Sequence, residues 1–340
     1  MNIPTIQTPY RPLKNLLYLS YLPKVINSAL EMQLLEALSK NPSSPADIAR
    51  QAGTEEKVTG AVMRVLAKIG LVAEKNGIFE LTALSKDYLL QASGANQITA
   101  VHKFSGSSGP FDNLVAALKG EPPEFDDKMW ISKQASINME QGMKAGGLQA
   151  VVSFVKNIPE FVSCSKMCDF AGNVGYFSYA FLQNNPNLES HVYDLPEVCA
   201  NARELKQDEE DFSRVTYHDF DMKKGDSFGE GYDLFFTSHF LYEFGARGEL
   251  TDFFKRVSKA MKPGGILISN HMCHKACDKE GEITLALVEL QTLVMGYPTH
   301  QLPESTLKQA LAGSGFADFT VQQPDGKYAF PTLLLAARKQ

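Results

Sequence analysis

Lys166-Met167-Cys168-Asp169-Phe170-Ala171-Gly172-Asn173-Val174-Gly175 decides the fold: a short apolar run stops at a glycine-bearing turn, and a helical pattern runs on to Asn185. Beyond it the chain alternates. SHVYD (190–194), a helix, RVTYHDF (214–220), YDLFFTSHF (232–240), a helix to Met261 and ILISNHM (266–272) follow in order. Strand and helix in alternation predict a doubly wound α/β sheet that binds ligands at the carboxyl ends of its strands. The tail, FADFTVQQPDGKYAFPTLLLAAR (316–338), offers two more strands joined through a Pro-Asp-Gly turn, which close the sheet antiparallel.

The turn and the end of the second strand suggest a ligand. A glycine turn lets backbone approach a nucleoside closely, and Asp194, 25 residues after Asp169, is placed to accept ribose hydroxyls. The pair points to an adenosine-containing cofactor.

Toward the N-terminus the pattern differs. Residues from Leu16 to Leu38 carry apolar groups at helical spacing, up to the breaker NPSSP (41–45). SPADIARQAG (44–53) reads as a capped helix ending at Gly53, and the next helix starts with a Thr54 cap. Its buried face is expected to be Val58, Val62, Val65, Leu66 and Ile69. Two strand-like runs, LVAEK and IFELT, flank Asn76-Gly77, a strong hairpin signal. Helices followed by a hairpin form a winged helix.

Winged helices often read DNA, but residues 1–100 hold ten Lys or Arg against eight Asp or Glu, a net of +2, and the helix that would enter the groove opens with Glu55 and Glu56. The whole chain of 340 residues carries −6, which also argues against nucleic acid as a partner. At 44% hydrophobic and 21% charged residues, with no apolar stretch near the roughly 18 to 20 residues that span a bilayer, no membrane partner is expected. The N-terminus lacks signal-peptide character, and the five cysteines are too few and odd in number for a disulfide framework, so a cytoplasmic location is expected. Domains are expected at 1–100 and 161–340, with connecting helices at 101–160 whose Trp130, Met139 and Met143 either belong to the core or line a substrate pocket.

SALEMQLLEAL (28–38) before the winged helix, FDNLVAALKGEPPEF (111–125), the Asp169–Gly175 turn, VYDLPEV (192–198), YHDFD (217–221), YDLFFTSHFLYEFG (232–245) and MKPGGILIS (261–269) occur in an order that resembles one family across nearly the whole chain. It is that of the plant and bacterial small-molecule O-methyltransferases, which include phenazine, polyketide and hydroxyindole methylating enzymes. The resemblance implies a Rossmann-like class I methyltransferase domain behind an N-terminal all-helical winged-helix dimerisation domain, and a homodimer built mainly through the N-terminal helices. It implies S-adenosylmethionine as cofactor, lying over Asp169, Ala171, Gly172, Asn173 and Gly175, with Asp194 and Leu195 at the ribose, Asp219 and Phe220 at the adenine, and a small-molecule acceptor.

Several positions depart from the family pattern. Ala171 and Asn173 replace glycines, and Asn173 puts a polar side chain where the cofactor's carboxypropyl end would pass. Ser238 stands where a lysine is common. The family's Leu-His-Asp-Trp, whose His takes the acceptor's proton, reads here Leu241-Tyr242-Glu243-Phe244. Tyrosine, with an ordinary pKa of about 10, is a poor base at neutral pH. Three accounts compete: an acceptor that needs no base, such as an activated carbon; Tyr242 as an orienting donor; or His239 or His271 as the base. A protein that holds the cofactor without transferring methyl, and a ligand-responsive DNA-binding regulator, are the alternatives of function. His271-Met272-Cys273-His274-Lys275-Ala276-Cys277 lacks the spacing and second ligand pair of a zinc motif, so no metal is expected. The segment Pro298-Thr299-His300-Gln301-Leu302-Pro303-Glu304 also departs from the family, which bears on the substrate.

Overall fold

Residues 5–106, 109, 111–121, 128–221, 227–273, 275–276, 278–324 and 330–340 are described by the structure, a computed structural model. His274, Cys277 and the Asp325-Gly326 part of the expected turn lie outside them. The chain divides into two compact units, Met1–Gly109 and Pro110–Gln340.

In the N-terminal unit, the expected helix from Leu16 to Leu38 is three: Arg11–Leu19, Leu22–Glu31 and Leu34–Leu38. Pro23 can open a helix but not sit inside one, and Gln33 leaves helical geometry at φ 54°. The helices Pro45–Ala52 and Glu56–Lys68 follow. The second is capped by Glu55, not Thr54: its carboxylate accepts the backbone N–H groups of Lys57 and Val58 at 3.0 and 2.7 Å. Its buried face is also shifted, to Thr59, Gly60, Met63 and Leu66, while Val58 is 62% exposed. Gly60 explains the shift, since a Cβ there would already touch Pro45 Cβ at 3.4 Å and the two helices meet along that side. Strands β1 (Val72–Lys75) and β2 (Ile78–Leu81) form the antiparallel wing, and Phe79 and Leu81 return to a core with Leu35, Ile48, Met63 and Leu66.

The C-terminal unit is built on β3 (Lys166–Phe170), β4 (Glu189–Asp194), β5 (Val215–Asp219), β6 (Tyr232–Ser238), β7 (Met261–Met272), β8 (Phe316–Gln322) and β9 (Thr332–Lys339). The sheet order is β5-β4-β3-β6-β7-β9-β8, with β9 antiparallel to both neighbours and the remaining pairings parallel. Both faces are covered. Alternation sends Phe235 and Leu267 into one apolar cluster and Leu234, Phe236, Ile266 and Ile268 into the other. Strand order reverses between β3 and β6, the crevice where open α/β sheets bind ligands. Among the described residues no helix is long and apolar enough to cross a membrane.

Candidate active site

The turn after β3 is held from below. Phe170 anchors the strand end among the rings of Phe220, Phe228, Phe240 and Phe253, at centroid distances of 5.1 to 5.5 Å. Asp169 is only 1% exposed and points inward, accepting the Ser178 hydroxyl at 2.6 Å, and Ser190 donates in turn to Ser178 at 2.7 Å. Burial pushes its carboxyl up to about 7. A Cβ on Gly172 would lie 2.6 Å from that carboxyl carbon, so the turn rests directly on Asp169. Asp169 braces the turn from inside.

The substitutions in the turn are accommodated by backbone geometry. Ala171 and Asn173 adopt φ 54° and 52°, the left-handed region that glycine enters freely and asparagine tolerates. Asn173 Oδ1 accepts the N–H of Val174 at 2.9 Å, so the side chain folds onto its own backbone and does not project into the space above the turn. Gly175 is more constrained: at φ 75°, a Cβ would fall 2.9 Å from Val192 Cγ2.

Asp194, at the end of β4, faces this turn. Its Oδ2 accepts the Asn173 N–H and its Oδ1 the Leu195 N–H, both at 2.8 Å. Burial raises its pKa to about 6, against the lowering by those two bonds. Each oxygen keeps a further lone pair, enough for a vicinal diol. Asp219, beside Asp194 at the end of β5, is exposed and pairs with Arg203 at 3.3 Å. The Phe220 ring is 5% exposed and stacks on Phe228 at 5.3 Å. Ser238, at the end of β6, accepts from Asn270 Nδ2 at 2.8 Å.

After β6 the chain turns sharply. His239 adopts φ 53° and donates its backbone N–H to Asn270 O at 2.8 Å. Its Nδ1 lies 2.9 Å from Tyr242 Oη, and that hydroxyl accepts the Met272 N–H at 2.7 Å. Burial raises the Tyr242 pKa further and lowers that of His239 to about 3, so both are neutral near pH 7. His271 is wholly buried in β7, with Nδ1 3.2 Å from Ser269 Oγ.

The expected pocket residues differ in burial and packing. Trp130 is 41% exposed and donates Nε1–H to Tyr297 Oη at 2.6 Å, Met139 is half-buried, and Met143 packs against the core cluster of Phe177 and Phe181. One residue that sequence reasoning passed over joins the site: the His300 ring lies 4.2 Å from that of Tyr242. Its only signal was the departure of 298–304 from the family pattern. Among the described residues no group of three or more His, Cys, Asp or Glu is placed to hold a metal ion.

An O-methyltransferase domain matches residues 128–317, more than half of the chain, and an O-methyltransferase dimerisation domain matches 15–91. The chain belongs to the S-adenosylmethionine-dependent O-methyltransferase family. Among its relatives is acetylserotonin O-methyltransferase of Macaca mulatta, 24% identical over 90% of this chain and 92% of that protein. Another is 3-hydroxy-5-methyl-1-naphthoate 3-O-methyltransferase of Streptomyces sahachiroi, 20% identical over 80% of this chain and 79% of that one. The fold is that of human N-acetylserotonin methyltransferase solved in complex with SAM, with a TM-score of 0.74 and 20% identity over 98% of this chain and 99% of that one.

Proposed function

We propose that this family member transfers the methyl group of S-adenosylmethionine to a hydroxyl of a small aromatic or largely apolar acceptor. The observation that carries the reading is Asp194, whose two oxygens are fixed by backbone N–H groups from the glycine turn and from its own strand end, with lone pairs left for a ribose diol. Gly172, Ala171, Asn173 and Gly175 leave backbone as the surface of the turn for the amino-acid end, with Leu195, Asp219 and Ser238 around the nucleoside.

S-adenosylmethionine supplies a methyl carbon on a sulfonium, which an in-line nucleophile takes while the carbon–sulfur pair leaves to sulfur. The protein's share is orientation and proton handling. Tyr242 is not the base, because it is enclosed, neutral and already engaged at Met272 and His239. It acts on His239, holding the ring in place. Trp130 and Met139 present apolar surface for the acceptor.

The chain acts as a homodimer in this proposal. The helix Arg11–Leu19 has no buried residue, and Leu13, Leu16 and Leu17 are each more than half exposed in the single chain, a face that a second copy would cover. The functional test is incubation with S-adenosylmethionine and a panel of phenols and enols, with methylated products read by mass spectrometry. A methylated oxygen supports the proposal; a methylated carbon, or cofactor binding without methyl transfer to any hydroxyl, contradicts it.

A further inference from the structure

Tyr297 is a fixed post. The helix Lys279–Val294 stops at Gly296, which takes φ 87° and donates its N–H to Leu293 O at 3.0 Å, while the Tyr297 N–H bonds to Thr292 O, also at 3.0 Å. These two bonds form a Schellman motif, which fixes the direction in which the chain leaves the helix. Beyond it Glu289 of the same helix holds the segment again: its Oε1 accepts the Thr299 hydroxyl at 2.9 Å and its Oε2 the His300 N–H at 2.8 Å. The segment so held carries the His300 ring, 4.2 Å from that of Tyr242, whose hydroxyl is bonded to the end of β7.

Trp130 reaches this post from a second anchored base. Ser132, extended at φ −70° and ψ 148°, separates the helix Lys128–Ile131 from the helix Lys133–Met143 and caps the latter, its Oγ accepting the Ala135 N–H at 3.1 Å. Both residues beside Ser132 are held to the helix Pro196–Lys206, which begins directly after Asp194 and Leu195: Ile131 O accepts from Asn201 Nδ2 at 2.8 Å, and Lys133 pairs with Glu204. Glu140 pairs with the buried Lys206 at 2.9 Å, and its carbonyl accepts the hydroxyl of Tyr176, the residue after Gly175, at 2.9 Å. Trp130 itself is 41% exposed, and its indole N–H donates to Tyr297 Oη at 2.6 Å. One neutral hydrogen bond beside water is weakly held, whereas the base is tied at several points.

In the sheet order β4-β3-β6-β7, β3 and its glycine turn lie between β4, whose end leads into the base, and β6 and β7, whose ends meet the segment of His300. The Trp130–Tyr297 bond thus joins the two sides of the crevice at the switch point. We propose that this bond is a latch across the cofactor cleft, with Tyr297 the positioning residue that holds the indole shut, so that cofactor and product exchange only while the bond is open. The inference rests on the methyl-transfer reading above. Held shut, the ring shields the cleft from water during methyl transfer; released, it clears the path by which the cofactor arrives and the demethylated product leaves. Tyr297 acts through Trp130 and not on the reacting atoms. Trp130 is also the one tryptophan of the 340 residues, so tryptophan emission reports the latch alone.

The deciding experiment pairs acrylamide quenching of the Trp130 emission with surface plasmon resonance of S-adenosylhomocysteine on the captured full chain. Tyr297→Phe keeps the ring and removes the oxygen. In the unliganded protein it should move the emission to longer wavelength and raise the quenching constant. Association and release of S-adenosylhomocysteine should both quicken by about 2- to 10-fold, the factor that one neutral hydrogen bond represents. Their ratio should hold, because a latch shut equally in free and bound protein changes both rates and leaves the affinity in place. Trp130→Phe breaks the same bond, so the double variant should exchange no faster than the faster single variant. Unchanged emission and quenching in Tyr297→Phe overturns the latch, as does a weakened affinity carried by release alone, which would make Tyr297 a ligand contact. Absence of S-adenosylhomocysteine binding to the wild type removes the methyl-transfer reading and the latch with it; binding with equal exchange rates in wild type and Tyr297→Phe removes the latch alone.

Discussion

Tyr242 Oη lies 2.9 Å from His239 Nδ1 while it accepts the Met272 N–H at 2.7 Å. The tyrosine bridges the ends of β6 and β7. Tyr242→Phe leaves the Met272 N–H and the His239 ring without their partner and should cost about 1 to 3 kcal/mol of stability. Denaturant unfolding measures that loss. Calorimetry should find S-adenosylmethionine affinity within about twofold of wild type, since the hydroxyl does not face the turn; a stability change under about 0.5 kcal/mol, below the usual worth of one hydrogen bond, would remove the bridging role.

Asp194→Ala removes the acceptor of two backbone N–H groups and of the proposed ribose hydroxyls. The expected loss of cofactor affinity is about 1.5 to 3 kcal/mol, roughly 10- to 150-fold. Unchanged affinity would displace the ribose from β4.

Asp169 gives stability a distinctive pH dependence. Its folded pKa, about 7, lies above the ordinary carboxyl value near 4, so the folded protein holds this proton more tightly than the unfolded chain. The contribution is fully present below about pH 4 and is lost as pH rises through about 7. Asp169→Asn, which keeps an oxygen for the Ser178 hydroxyl, is neutral throughout. The stability difference between wild type and variant should therefore move against the wild type from about pH 4 to 7, read by denaturant midpoints. Parallel curves would contradict the assignment.

Much of this was legible because it follows from local pattern. The alternation after Lys166, the switch point, the wing at Asn76-Gly77 and Asp194 at a strand end all depend on residues near in sequence. What the sequence hid depends on direction or distance. Nothing in the order of residues says that Asp169 turns under Gly172, that Asn173 folds onto Val174, or that the Phe220 ring enters the core. Gln33 breaks a helix without being a glycine, and Glu55 caps better than Thr54 through a side chain long enough to reach two N–H groups. His300 lies 4.2 Å from the Tyr242 ring on a backbone that Glu289, on the preceding helix, holds at 2.8 Å.

Ala171 carries left-handed strain at φ 54°. Ala171→Gly relieves about 1 to 2 kcal/mol of it and returns about 0.5 to 1 kcal/mol in unfolded-chain entropy. A net gain of about 0.5 to 1 kcal/mol and a raised melting temperature are expected from that balance. A destabilised variant would mean that the methyl group packs usefully against its apolar neighbours.

Calorimetric titration of the full chain with S-adenosylmethionine and, separately, its demethylated product reaches furthest into the proposed chemistry. Micromolar binding of both to the wild type is expected, with strong weakening by Asp194→Ala. Absence of binding heat with either, confirmed by equilibrium dialysis, would mean that the turn of Ala171 and Asn173 no longer holds the cofactor, and methyl transfer from it would be excluded.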